Sequence, residues 1–159
     1  MIPFVILVAF LGQTPIPAAD PFAPLQLYAG AWNVTLHDAG KTTPDSLVND
    51  CHLFGHYFAC QQTINGKVGA LTIYVPADTP GHFHTQNILP DGHALGVGEL
   101  TIEGTHWTFL GHDTQNGVTT WQRVTNDFTG NDRIHWASEL STDNKTWKTT
   151  MSGDDERVK

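Results

Sequence analysis

From Trp32 onward the chain alternates apolar and polar side chains: Trp32, Val34 and Leu36 fall on one face, and Asn33, Thr35 and His37 on the other. A strand with one dry side needs partners that return to that side. The sequence supplies them as short runs cut by turn signals: Asn65-Gly66, Pro90-Asp91-Gly92, Glu103-Gly104, Asn116-Gly117, Thr129-Gly130-Asn131 and Asp143-Asn144. Between these lie strands expected over 68–75, 83–89, 94–102, 106–110, 118–128, 134–140 and 146–152. Short strands joined by tight turns at near-regular spacing predict an all-β fold, an up-and-down antiparallel barrel of about 8–10 strands. One short helical turn over 23–28 would cap an end. Aromatic residues, Gly, Thr and Asn are common, which suits strands and turns better than helices.

A chain of 159 residues is one domain's worth. Lys and Arg number 8 against 16 Asp and Glu, with no basic run, so the charge needed to grip phosphates is missing and nucleic acid is excluded as a partner. Residues 1–12 form an apolar run, and a segment of small residues and proline follows over 15–19. This is the pattern of a secretory signal, too short to span a bilayer core of about 30 Å. The expected organisation is a signal over 1–19 and a single barrel domain over 20–159, secreted or periplasmic, without stable membrane insertion after cleavage. The run lacks the basic residues that ordinarily precede it.

Cys51 and Cys60 flank the turn at Gly55 and His56. With those two as loop residues, Phe54 faces Tyr57, and stepping outward sets Cys51 opposite Cys60 at a non-hydrogen-bonded pair. There Cα atoms approach to about 4.5 Å, within disulfide range. An exported chain would bridge them. The alternative is a pair of free thiols packed as small hydrophobes.

Gly30-Ala31-Trp32, the Cys51 to Cys60 hairpin, Gly96-Val97-Gly98 ahead of Trp107, and the ending from Glu139 to Trp147 resemble a family of exported bacterial barrels of unknown function within the lipocalin-like, or calycin, folds. The last hairpin of that family reads Ser-x-Asp-Gly-x-x-Trp; here Asn144 stands in place of Gly, which a left-handed position tolerates. The resemblance implies a barrel with a central cavity and no known chemistry. It also implies that Trp32 plugs the closed end with Arg157 stacked on its ring. The other reading of residues 153–159 is a frayed acidic tail.

The expected ligand-contacting lining is Trp32, Phe58, Trp107, Phe109, Val124, Trp136, Leu140 and Trp147, with Val34, Leu36, Ile134 and Met151 also facing inward. Ala94, Gly96 and Gly98 share that face, and small side chains there leave volume beside the large rings. For a metal, His82 and His84 share a strand face, and His93, His106 or Glu99 would have to complete the set. A three-residue Pro90-Asp91-Gly92 loop pairs Glu99 with Phe83 and turns it away, so no metal is expected. A haem would need an inward imidazole, but His135 lies between the inward Ile134 and Trp136 and so faces out; no cofactor is expected. There is no Gly-x-Ser-x-Gly elbow. Acid–base chemistry would have to come from Arg123, Glu139 or Glu99, of which Arg123 and Glu139 also read as a cross-strand ion pair on the barrel wall. The function these residues support is binding of a small hydrophobic or aromatic ligand in the cavity. The alternative is a cofactor-free cyclase or isomerase in the same space.

Overall fold

The computed structural model describes residues 20–37 and 44–159; the signal read over 1–19 lies outside them. A 3-10 turn, η1 (Ala23–Leu27), precedes ten strands: β1 (Gly30–Leu36), β2 (Asp45–Phe54), β3 (Tyr57–Ile64), β4 (Lys67–Pro76), β5 (His82–Ile88), β6 (Ala94–Glu103), β7 (His106–Gln115), β8 (Val118–Thr129), β9 (Arg133–Ser141) and β10 (Lys148–Arg157). Each strand pairs antiparallel with its sequence neighbours, and β1 pairs with β10, so the sheet closes on itself and keeps no edge. The all-β barrel read from the turn spacing is the fold.

Cross-strand pairing stacks the inward residues in rows. One row holds Leu47, Trp32 and Arg157; the next holds Val34, Asp155, Ile134 and Phe128. A third passes through Gly153, Trp136, Asn126 and Trp107. A fourth passes through Met151, Ser138, Val124, Phe109, Leu100 and Phe83. The core is concentrated at one end, where Trp32, Phe58, Leu100 and Trp107 are wholly buried. There Trp107 packs on Phe128 with ring centroids 4.6 Å apart, and η1 plugs the opening by setting Phe22 within 6.2 Å of Phe58 and Phe83.

At that plug the Arg157 guanidinium lies 4.1 Å from the centre of the Trp32 ring. Its three nitrogens donate to the carbonyls of Asn131 (2.7 Å), Ala29 (2.6 Å) and Leu27 (2.7 Å), so one side chain fastens η1, the approach to β1 and the β8–β9 turn. Gly30 is glycine for two reasons. Its φ is +121°, and a Cβ there would come within 2.6 Å of Arg157 Nη1. Residues 153–157 are therefore the end of a strand, not a frayed tail: β10 runs on past the expected boundary at 152, because Trp32 pairs with Arg157 across the seam.

Three further positions differ from the sequence reading. The β5–β6 loop has the expected register, with Ile88 opposite Ala94, but a bulge between Gln86 and Ile88 then shifts the ladder by one. His84 consequently pairs with Glu99, and Phe83 with Leu100, so Glu99 does share the outer face of His82 and His84. Trp147, expected inside, lies against the outer wall, where Arg123 sits 4.3 Å from its ring centre. A second bulge, between Thr149 and Met151, separates it from the inward run of β10. Strand β7 extends to Gln115 because it pairs with β8 along its whole length. The Cys51–Cys60 bridge is formed, with Phe54 facing Tyr57 as the two-residue loop requires. Asn144 takes the left-handed conformation at φ 56°.

Candidate functional site

Toward the end bearing the 65–66, 89–93, 116–117 and 142–147 connections, residues that point at the barrel axis are no longer buried. Met151 and Leu140 face inward yet are 50% and 39% exposed, and inward Gly96 and Gln122 are exposed as well. The barrel is thus plugged at one end and open at the other, a cup whose wall includes Phe109, Val124, Trp136 and Ser138, all half-buried. Gly98 keeps the wall thin: a Cβ there would meet Thr85 Oγ1 at 2.9 Å and the Leu110 carbonyl at 3.0 Å.

Of the expected lining, Phe109, Val124, Trp136 and Leu140 lie on the cup. Trp32, Phe58 and Trp107 belong to the plug beneath it, and Trp147 is outside. Arg123 and Glu139 form an outer-wall ion pair, Nη2 to Oε2 2.7 Å, with a second bond from Nε at 2.7 Å. His135 also faces out and bonds Asp154 Oδ1 at 2.8 Å; His37 bonds the other oxygen of the same carboxylate at 2.7 Å. His82 reaches Thr101 Oγ1 at 3.3 Å above a shallow outer pocket shared with His84 and Glu99. Among the described residues no group of three or more His, Cys, Asp or Glu side chains is arranged to hold a metal ion.

The floor of the cup carries groups that sequence reasoning missed. Asp155 is 5% exposed, faces the axis, and accepts a hydrogen bond from Trp136 Nε1 at 2.9 Å. Burial pushes its carboxyl up to about 6, opposed by the Trp136 bond and assisted by the charge of neighbouring Asp154. Tyr28, just after η1, is pushed up to about 12 by burial and by the Asp155 charge, while the Asn49 and Gln62 side chains beside it pull the other way. Tyr74 is raised by burial and by Tyr28. Asn49 donates to the Tyr28 carbonyl at 3.2 Å, but its own buried Oδ1 receives no hydrogen bond from the described residues. The signal for Asp155 was present: with Arg157 placed under Trp32, alternation along one strand puts Asp155 on the same inner face.

An acid whose pKa is raised by folding binds its proton more tightly in the folded state, so its ionisation is a destabilising contribution. That contribution is full above pH about 6 and vanishes as the pH falls below the ordinary value of 3.8. Asp155→Asn should therefore raise unfolding free energy at pH 7.5 by about 1–3 kcal/mol, and the gain should shrink as the pH drops through this window. Urea unfolding of both proteins at pH 7.5 and 4.5 checks it. A variant less stable at pH 7.5 would show that the carboxylate is well solvated where it stands.

No protein-family model matches the chain, and no curated protein matches its sequence. Among solved structures, the barrel is similar to the crystal structure of Rv2717c from M. tuberculosis, with a TM-score of 0.51 at 12% identity over 89% of this chain and 99% of that one. At that identity the likeness is one of fold: a closed antiparallel barrel. The disulfide is consistent with an oxidising, extracellular setting, and no helix among the described residues is long and apolar enough to cross a membrane.

Proposed function

We propose that this chain is an exported lipocalin-like barrel that binds one small hydrophobic or aromatic molecule in its cup. The observation that carries the reading is the exposure of inward-facing Met151 and Leu140 above a fully packed plug. Eight to ten strands enclose about one small ligand. Pockets of this kind pair apolar walls with a few fixed polar groups, and here Phe109, Val124 and Trp136 are the walls while Asp155, Tyr28 and Asn49 supply the polar groups. A second reading, a cofactor-free cyclase or isomerase in the same space, draws support from Asp155, an inward carboxyl poised near neutral pH.

Titration with neutral 2-ethylnaphthalene, followed by calorimetry and by shifts of the methyl resonances of Val124 and Leu140, tests the binding reading. One molecule per chain is expected. Ser138→Trp, which fills the cup from its wall, should lower affinity about 10-fold or more, the loss of roughly 1.4 kcal/mol or more of contact. Binding unaffected by that substitution, or absent from the native protein, would overturn the proposal.

A further inference from the structure

The chemistry of the cup floor narrows the ligand, given that the cup binds one. Asp155 has no ion-pair partner among the described residues, and Trp136 is its only hydrogen-bond donor there. The one cation near it on the inner face of β10 is Arg157, whose three nitrogens are already given to the carbonyls of Asn131, Ala29 and Leu27. Lys148 stands at the exposed mouth. Asn49 Oδ1, on β2, is a second acceptor, 2% exposed as a residue and without a donor among the described residues. Beside these two acceptors stand Tyr28, which feels the Asp155 charge and the Asn49 side chain, and Trp136, which turns its N–H edge to Asp155. A buried polar acceptor without a donor is costly, and a buried carboxylate without a cation more so. The buried polar groups thus include a carboxylate without a cation and an amide oxygen without a donor among the described residues, alongside one N–H without an acceptor, Trp107 Nε1 in the plug, and the net charge of the floor favours a cation over an anion.

We propose that the ligand is a cationic amine with an apolar or aromatic body. Its ammonium group bonds to Asp155 at the floor, its remaining N–H groups reach toward Asn49 Oδ1, and its body lies along Phe109, Val124 and Met151. A carboxylate-bearing molecule of the same shape would bring like charge to Asp155 and should be refused. The groups facing Asp155 are Tyr28 from the turn after η1, Asn49 and Gln62 from β2 and β3 beside Tyr28, Trp136 from β9 and Arg157 from β10; Asp154 lies on the opposite face of β10. Of these, only Asp155 has a carboxyl shifted close to neutral pH. Amine binding should therefore weaken on acidification through about 6, while the amine itself stays protonated.

Three probes of one shape separate this inference from the binding reading beneath it: 2-(2-naphthyl)ethylamine, 3-(2-naphthyl)propionate and neutral 2-ethylnaphthalene. At pH 7.5 the amine should bind about 10-fold or more tighter than the neutral probe, the effect of one charge-assisted hydrogen bond, and the propionate weakest. In Asp155→Asn, which keeps the Trp136 bond, the amine's advantage over the neutral probe should fall to within about 3-fold, with folding checked by a urea transition at pH 7.5 no less stable than that of the native protein. The same collapse should occur in the native protein at pH 5. Equal binding of all three probes, or preference for the propionate, overturns the amine assignment and leaves the cup reading standing. Failure of every probe to bind overturns both.

Discussion

Trp32→Ala should lower the unfolding free energy by about 3–5 kcal/mol, the largest single-residue effect expected in this chain. The ring is wholly buried, so its removal leaves a cavity beneath the plug, and the guanidinium above it loses its stacking surface. A guanidinium over an indole contributes roughly 0.5–2 kcal/mol depending on desolvation. Arg157→Lys keeps the charge but cannot keep three divergent bonds to Asn131, Ala29 and Leu27, because an ammonium has neither the planar face nor the reach of the fork. The two substitutions touch one contact and should be coupled by more than about 0.5 kcal/mol in a double-mutant cycle measured by urea unfolding. Additive losses would show that the ring and the guanidinium stabilise the end of the barrel independently.

Loss of the Cys51–Cys60 bridge should cost about 2–3 kcal/mol. The residues it joins are nine positions apart, so the bridge restricts a short loop of the unfolded chain and its effect falls toward the low end of the usual range. Cys60 is also buried in the core cluster that holds Phe58 and Tyr74, so Cys51→Ala with Cys60→Ala adds a small packing loss. The chemical state is checked by intact mass: alkylation without reductant should add nothing, and alkylation after reduction should add two groups. Two groups added without reductant would mean that the thiols are free in the mature protein.

Most of the architecture could be read because period-two alternation and Gly or Asn turns are local signals. The Gly55-His56 loop alone sets the cysteine register, and Asn144 shows its left-handed backbone by standing in a glycine's place. What could not be read were bulges. One extra residue on β6, at Leu95-Gly96 opposite Asn87, moved Glu99 to the face of His84, and another at Thr150 left Trp147 outside the barrel; Thr150 carries no signal at all, and Gly96 in mid-strand does not by itself say that it marks a bulge. The floor of the cup was hidden for a different reason. Asp154 and Asp155 look alike in a run of acidic residues, and only the partner strand decides that one faces water and two histidines while the other faces the core. The acid–base candidates Glu139 and Glu99 were sought in mid-strand, whereas the inward carboxyl sits two residues before the arginine that closes the barrel.

The seam where β1 meets β10 sets a timetable. Arg157 bonds to a carbonyl 128 residues earlier, and until those last residues arrive β1 has one open edge and the plug has no fastener. Closure is thus the most sequence-distant contact in the fold and belongs late in folding, after the local hairpins have formed. A chain emerging in order from a ribosome or a translocation pore cannot complete its barrel until its final strand has emerged. Until then it stays an open, threadable ribbon.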